Sequence, residues 1–110
     1  MKRSGIAALG MLAFAIAAPA QAQRISRVDA TGVLGQCEVT PAPLCEAYLV
    51  GFTDAEGTNL PRRFCVPAAT TPDQLRSAVI KFLRTNRADL NDSGAKQVAK
   101  ALAHAYPCSK

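Results

Sequence analysis

Four cysteines, one histidine and a few serines are the residues of this 110-residue chain whose types could support chemistry. Cys37, Cys45, Cys65 and Cys108 contain no C-x-x-C redox pair, no C-x-x-C-H haem attachment and no zinc-ribbon spacing. His104 stands alone, and a metal centre or activated nucleophile needs several converging partners. A Ser-His-Asp triad could be written with Ser77 or Ser93 as nucleophile, yet the chain lacks the G-x-S-x-G elbow. The even cysteine number points instead to two disulfides, which would also remove the thiolate that a Cys-His hydrolase requires. The reading from these residues is a protein with no catalytic residue, no metal site, no cofactor and His104 on a helix surface.

Disulfides need an oxidising compartment, and the start of the chain supplies a route to one. Lys2 and Arg3 precede an apolar run over residues 6–18, followed by Ala20-Gln21-Ala22, the layout of a secretory signal peptide with its small-residue cleavage site. Residues 1–22 are read as that signal and residues 23–110 as the working domain, 88 residues long and holding all four cysteines. Loss of Lys2 and Arg3 takes the formal charge from +5 to +3, which gives no case for nucleic acid. The apolar run is shorter than the roughly 20 residues a membrane span needs. No cysteine follows the cleavage site directly, so lipid anchoring is not expected. The expected product is periplasmic, with no membrane attachment after cleavage. Domains near ~80 residues usually need disulfides or a metal to fold alone, and each bridge here would contribute about 3 to 4 kcal/mol.

The elements that must position these cysteines read as helices. Gly32 and Gly35 make any helix before Cys37 short and weak. Thr40-Pro41-Ala42-Pro43 is a connector. Pro43 suits a first helical turn, and Leu44, Cys45, Tyr48, Leu49 and Phe52 share one face of a helix that fades near Thr53 or Asp54. Residues 53–63 have turn chemistry, and Phe64-Cys65-Val66-Pro67 reads as an extended strap on the core. Thr71-Pro72-Asp73-Gln74 carries the elements of a capping box. It opens an amphipathic helix from Pro72 to Thr85 marked by Leu75, Ala78, Val79, Phe82 and Leu83. A last helix follows Asn91, Asp92 or Ser93 as cap, carries Ala95, Val98, Leu102, Ala105 and Tyr106 on one face with Lys96, Gln97, Lys100 and His104 mostly outside it, and stops at Pro107. The fold class is therefore all-α, a small disulfide-stapled domain of three to four helices. Three cysteine connectivities are possible. A helix of about nine residues from Cys45, followed by a ten-residue loop, favours Cys45 with Cys65 and Cys37 with Cys108. The pairing Cys37 with Cys45 and Cys65 with Cys108 stands close behind.

Several motifs follow in order: Cys45-x-x-Tyr48-Leu49-x-Gly51, Phe64-Cys65-x-Pro67, Thr71-x-x-Gln74-Leu75, Val79-x-x-Phe82-Leu83 and Ala101-Leu102-x-x-Ala105-Tyr106-Pro107-Cys108. In order and spacing they resemble the Rap/Tai immunity proteins, which neutralise peptidoglycan amidase effectors of type VI secretion systems. Two features depart from that pattern: Gly32 and Gly35 interrupt the first helix, and Arg87 stands where relatives often carry proline. The shared residues Tyr48, Leu49, Phe64, Val79, Phe82, Leu83, Leu102 and Tyr106 read as core, and Gly51 as a point of close approach for another helix or for Phe64.

The resemblance implies an exported inhibitor that docks on a secreted amidase with an exposed loop in the amidase cleft, and it makes a homodimer plausible. Two loops qualify for the contact. Residues 86–93 offer Arg87, Asp89, Asn91 and Asp92 and are favoured because they join the two best helices. Residues 53–63 offer Asp54, Glu56, Asn59, Arg62 and Arg63. A small periplasmic stress or holdase chaperone is the competing class, since it would share size, helices and disulfides. A secreted enzyme ranks last because the chain has a single histidine.

Overall fold

The structure is a computed structural model that describes residues 28–109; the signal-peptide reading of residues 1–22 lies outside them. Four α-helices account for the architecture: α1 (Ala30–Glu38), α2 (Pro43–Glu56), α3 (Pro72–Thr85) and α4 (Gly94–Ala105), with a 3₁₀ turn at Arg87–Asp89 between the last two. Asp29 and Ser93 form an isolated β-bridge, and the described residues contain no strand. The domain is all-α, and two disulfides staple it.

Leu75, Val79 and Leu83 line the buried face of α3, one helical turn apart. They meet Val33, Leu34 and Cys37 of α1, Cys45 and Leu49 of α2, and Val98, Ala101 and Leu102 of α4 in one contiguous core. Phe64 is fully enclosed by this core although it belongs to a connection without regular structure. Its strap is tied down by the Cys65 N–H, which donates to the Tyr106 carbonyl at 2.8 Å. Burial of each large aliphatic side chain contributes about 1.5 to 3 kcal/mol.

The caps explain where the helices start. At α3 the Thr71 hydroxyl accepts from the Gln74 N–H at 3.1 Å, and the Gln74 side chain accepts from the Thr71 N–H at 2.9 Å. This capping box satisfies two end amides that helix geometry leaves without partners. Ser93 caps α4 through the Lys96 N–H. Asp29 caps α1 by accepting from the Gly32 N–H at 2.9 Å, and this cap together with the buried stripe of Ala30, Val33, Leu34 and Cys37 offsets the helix-weakening glycines. At the other end of α1, the Arg76 guanidinium donates to the Cys37 carbonyl at 2.7 Å, and Arg84 pairs with Glu38 at 2.8 Å.

One glycine requires its lack of a side chain. The Gly94 N–H donates to the Val28 carbonyl at 2.8 Å, and a Cβ there would sit 2.7 Å from that oxygen and 2.8 Å from Val33 Cγ2. The starts of α1 and α4 are therefore held together backbone to backbone. Gly51 behaves differently from expectation, because a Cβ at this position would meet nothing within 4 Å. It faces open space and marks no close approach.

The favoured cysteine pairing is corrected. Cys37 is bonded to Cys45 and Cys65 to Cys108, each with Cα atoms 4.9 Å apart. The expectation assumed about nine helical residues from Cys45, ending near Thr53 or Asp54, whereas α2 continues through Glu56, 14 residues in all from Pro43. At ~1.5 Å rise per residue, α2 carries the chain roughly 20 Å from its start. The short connection after it delivers Cys65 to the end of α4 instead of returning it to Cys45. The turn between α1 and α2 meanwhile brings Cys37 directly against Cys45.

The bridges close loops of 8 and 43 residues. By loop-closure entropy they contribute about 2.5 and about 4 kcal/mol respectively. Replacing Cys65 and Cys108 by serine is expected to lower the melting temperature more than replacing Cys37 and Cys45. Calorimetry of the two double variants, with the reduced wild-type protein as the lower limit, checks the ranking; a reductant that leaves the wild-type melt unchanged contradicts it.

Candidate functional site

The two expected contact loops have different internal structure. In residues 86–93, Arg87 and Asp89 are exposed on the 3₁₀ turn, and Asn91 is exposed beyond it. The backbone is anchored from below: the Leu90 carbonyl accepts from the Thr31 N–H at 3.0 Å and its hydroxyl at 3.1 Å, and the Asp92 carbonyl accepts from the Ala30 N–H at 3.0 Å. Asp92 is already occupied within the domain. Its carboxylate accepts from the Ser93 N–H at 2.8 Å and from the buried Gln97 side chain at 3.0 Å, and pairs with Lys96 at 3.3 Å. These partners, with the Ser93 N–H first, hold its carboxyl below the usual range. Among the described residues the side chains of Arg87, Asp89 and Asn91 have no partner, whereas that of Asp92 has three.

In residues 53–63 the expectation of a solvated connection is corrected at its centre. Glu56 ends α2 and is buried, at 2% exposure. Its Oε1 accepts from Arg63 Nη2 at 2.8 Å and from Asn59 Nδ2 at 2.8 Å, while Oε2 accepts from the Arg63 backbone N–H. The Arg63 guanidinium lies over the rings of Phe52 and Phe64, 5.6 and 5.9 Å from their centroids. A buried carboxylate requires such a complement of donors, since an unpaired charge there would be costly. Hydrogen bonding by Arg63 is the largest influence on Glu56 and outweighs the opposing effect of burial, bringing its pKa down to about 2. Arg62 donates to the Gly57 carbonyl at 3.2 Å, closing the loop across its base. Thr58 turns inward to the Ala55 carbonyl at 2.8 Å. Asp54 is exposed on the last turns of α2. Glu56, expected as a partner contact, is the buried centre of an internal clamp that Arg63 closes from a half-exposed position, and Arg62 and Asp54 also lie on the surface.

Leu60 was missed by sequence reasoning. It sits at the tip of this loop with 91% of its surface exposed. The signal was present, since Leu60 is the one large apolar residue between Thr53 and Phe64, but a single leucine has no period by which to place it.

Tyr48 is a further correction. Expected in the core, it is 38% exposed, and Leu44, expected on the same buried face, is 67% exposed. The apolar residues of α2 run round most of the helix, so Cys45 and Leu49 face inward while Leu44 and Tyr48 point out. Partial burial against the domain pushes the Tyr48 phenol up. It borders an open cleft of about 840 Å³ with Val28, Asp29, Gly32, Asn91 and Ser93. His104 is exposed, as expected, and packs against the Phe82 ring with centroids 6.0 Å apart. The described residues contain no group of three or more metal-ligating side chains, and none of their helices is long and apolar enough to cross a membrane.

Comparison with known proteins gives a match over residues 31–108 to the family described as Rap1a immunity proteins. The chain belongs to that family. The matched span contains nearly all of α1, the other three helices and both disulfides, so the resemblance in the motifs and the fold agree. Membership of the Rap1a immunity proteins carries a function in immunity against a toxic effector, which implies an effector protein as partner, in a family that is generally non-enzymatic. No curated protein and no solved structure matches the chain.

The depressed pKa of Glu56 has a consequence for stability. A carboxylate with a lower pKa in the folded than in the unfolded state stabilises fully above the unfolded value, near 4.5, and loses that contribution as pH falls toward about 2. The melting temperature is therefore expected to decline between pH 5 and pH 2. Glu56→Gln should lower the melt at pH 7 and flatten that part of the profile; an unchanged slope in thermal melts across this range contradicts the assignment.

Proposed function

We infer that this protein is an exported, periplasmic immunity protein that binds a peptidoglycan amidase delivered by a type VI secretion system and blocks it, with no catalysis of its own. The observation that carries the reading is the family match over residues 31–108. The signal-peptide layout of residues 1–22 and two disulfides suited to an oxidising compartment support the periplasmic location. Residues 23–110 are then the mature immunity domain. A helical frame with two cross-links limits the entropy lost when a surface loop docks, which suits an inhibitor that must hold a fixed shape against its target.

On the 86–93 loop, Arg87, Asp89 and Asn91 are the partner contacts this reading uses, held by the bonds from Ala30 and Thr31. Expression of the exported protein is expected to rescue cells from a type VI amidase directed to the periplasm. Arg87→Glu combined with Asp89→Lys should weaken the complex about tenfold or more while leaving the melt near wild type, as measured by calorimetric titration and thermal unfolding. Loss of rescue by the wild-type exported form, with no complex detected, overturns the proposal.

The outer face of α2 supplies a surface for a second copy of the chain. Leu44 and Tyr48 stand one turn apart, with Gly51 leaving the backbone open beside them, and an apolar stripe of this kind is a common seam between helices of two subunits. Sedimentation of the wild-type protein should show a dimer that Tyr48→Glu converts to monomer; a wild-type monomer at all concentrations contradicts it. The same exposed face is what a holdase would use, and failure to suppress client aggregation under heat or acid separates the two readings.

A further inference from the structure

We propose that Leu60 is the principal anchor of partner binding, an apolar plug on a preformed loop that fits a hydrophobic socket rimmed by acidic groups on the amidase. The inference rests on the amidase reading above and assigns its main contact to residues 57–63, not to the 86–93 loop alone. Three observations converge on it.

The first is exposure. Leu60 is by far the most exposed large apolar side chain of the described residues, at 91%, although a leucine gains by leaving water. It does not belong to an amphipathic face, so no turn of a helix places it outward. The second is support. The side chains of Asn59 and Arg63 on either side of it converge on one buried carboxylate, Glu56. The Asn59 N–H also donates to the Glu56 carbonyl at 3.0 Å, and Arg62 closes the base of the loop on Gly57. The loop therefore has its shape before a partner arrives, and little ordering entropy opposes binding. The Cys65–Cys108 bridge fixes the chain immediately after it.

The third is charge. Arg62 is exposed two residues from the tip, and its contact within the domain is to a neutral carbonyl. The Arg63 guanidinium is half exposed over Phe52 and Phe64. Glu56, the carboxylate that pairs with Arg63, is buried beneath it, so the loop presents a leucine beside two guanidinium groups. The complementary partner surface is a cavity sized for one aliphatic side chain with carboxylates at its edge. Hot spots are side chains seated in well-packed, fully desolvated pockets, and complementary charge at the rim of such a pocket steers association and fixes register.

Glu56 is a positioning residue in this arrangement, since it acts through Asn59 and Arg63 and does not reach the surface. The test uses the full disulfide-bonded mature protein against a panel of catalytically inactivated type VI peptidoglycan amidases, beginning with any encoded beside this gene. Leu60→Asp is expected to raise Kd about a hundredfold with an unchanged melt, Leu60→Met to retain most of the affinity, and Val39→Asp, at an exposed apolar site elsewhere, to have no effect. Glu56→Gln should raise Kd less and should speed amide exchange across residues 57–63 in the free protein. Wild-type binding that Leu60→Asp leaves within twofold overturns the anchor while the amidase reading stands. Absence of wild-type binding across the panel overturns both.

Discussion

The buried stripe of Leu75, Val79 and Leu83 on α3 is the constraint to which the other helices answer. It is narrow, three aliphatic side chains in as many turns, and it must serve α1, α2 and α4 together. A domain this small has little interior beyond that seam, so small contributions decide whether it holds. This explains why polar ties cluster at the helix ends. Arg76 on the Cys37 carbonyl, the Thr71 capping box, and the backbone bond from Gly94 to Val28 each fix an end that packing alone leaves loose. The disulfides complete the same task at the two remaining corners. One joins α1 to α2, and the other joins the strap after α2 to the chain beyond α4.

Core and surface are therefore divided sharply. The buried core, the caps and the bridges use most of the residues of the motif set, which is why those motifs point to the family and its fold but say little about the partner. The contacts proposed for a partner lie between them. The 86–93 loop is supported from beneath by α1, and the 57–63 loop is closed from within by Glu56. The two supports differ in kind. The first loop depends on tertiary contact, and the second carries its own clamp.

Much of the helical layout was legible in the sequence. Thr71-Pro72-Asp73-Gln74 gave the start of α3, and its 3.6-residue period gave the buried face. Ser93, one of three cap candidates, and Pro107 bracket α4, and the end of α2 was misplaced by two or three residues. That small error altered two further readings, since a longer α2 changes which cysteines meet and draws Glu56 out of the loop and into the domain. Tyr48 was assigned to the core, and Leu44 to the same face, because α2 is apolar on more than one side, and periodicity alone cannot choose which apolar face turns inward. The Asp29 cap, which begins α1 in spite of Gly32, lies just before residues whose weak pattern gave no reason to look for one. Leu60 escaped for the opposite reason: nothing periodic surrounds it.

The clamp beneath the 57–63 loop also bears on how such a protein can diversify. Its conformation is specified largely by Glu56, Asn59 and Arg63, while the group it displays is the side chain at position 60. Shape and message are written in separate residues. A substitution at position 60 can then change the displayed side chain while the bonds that hold the loop stay as they are.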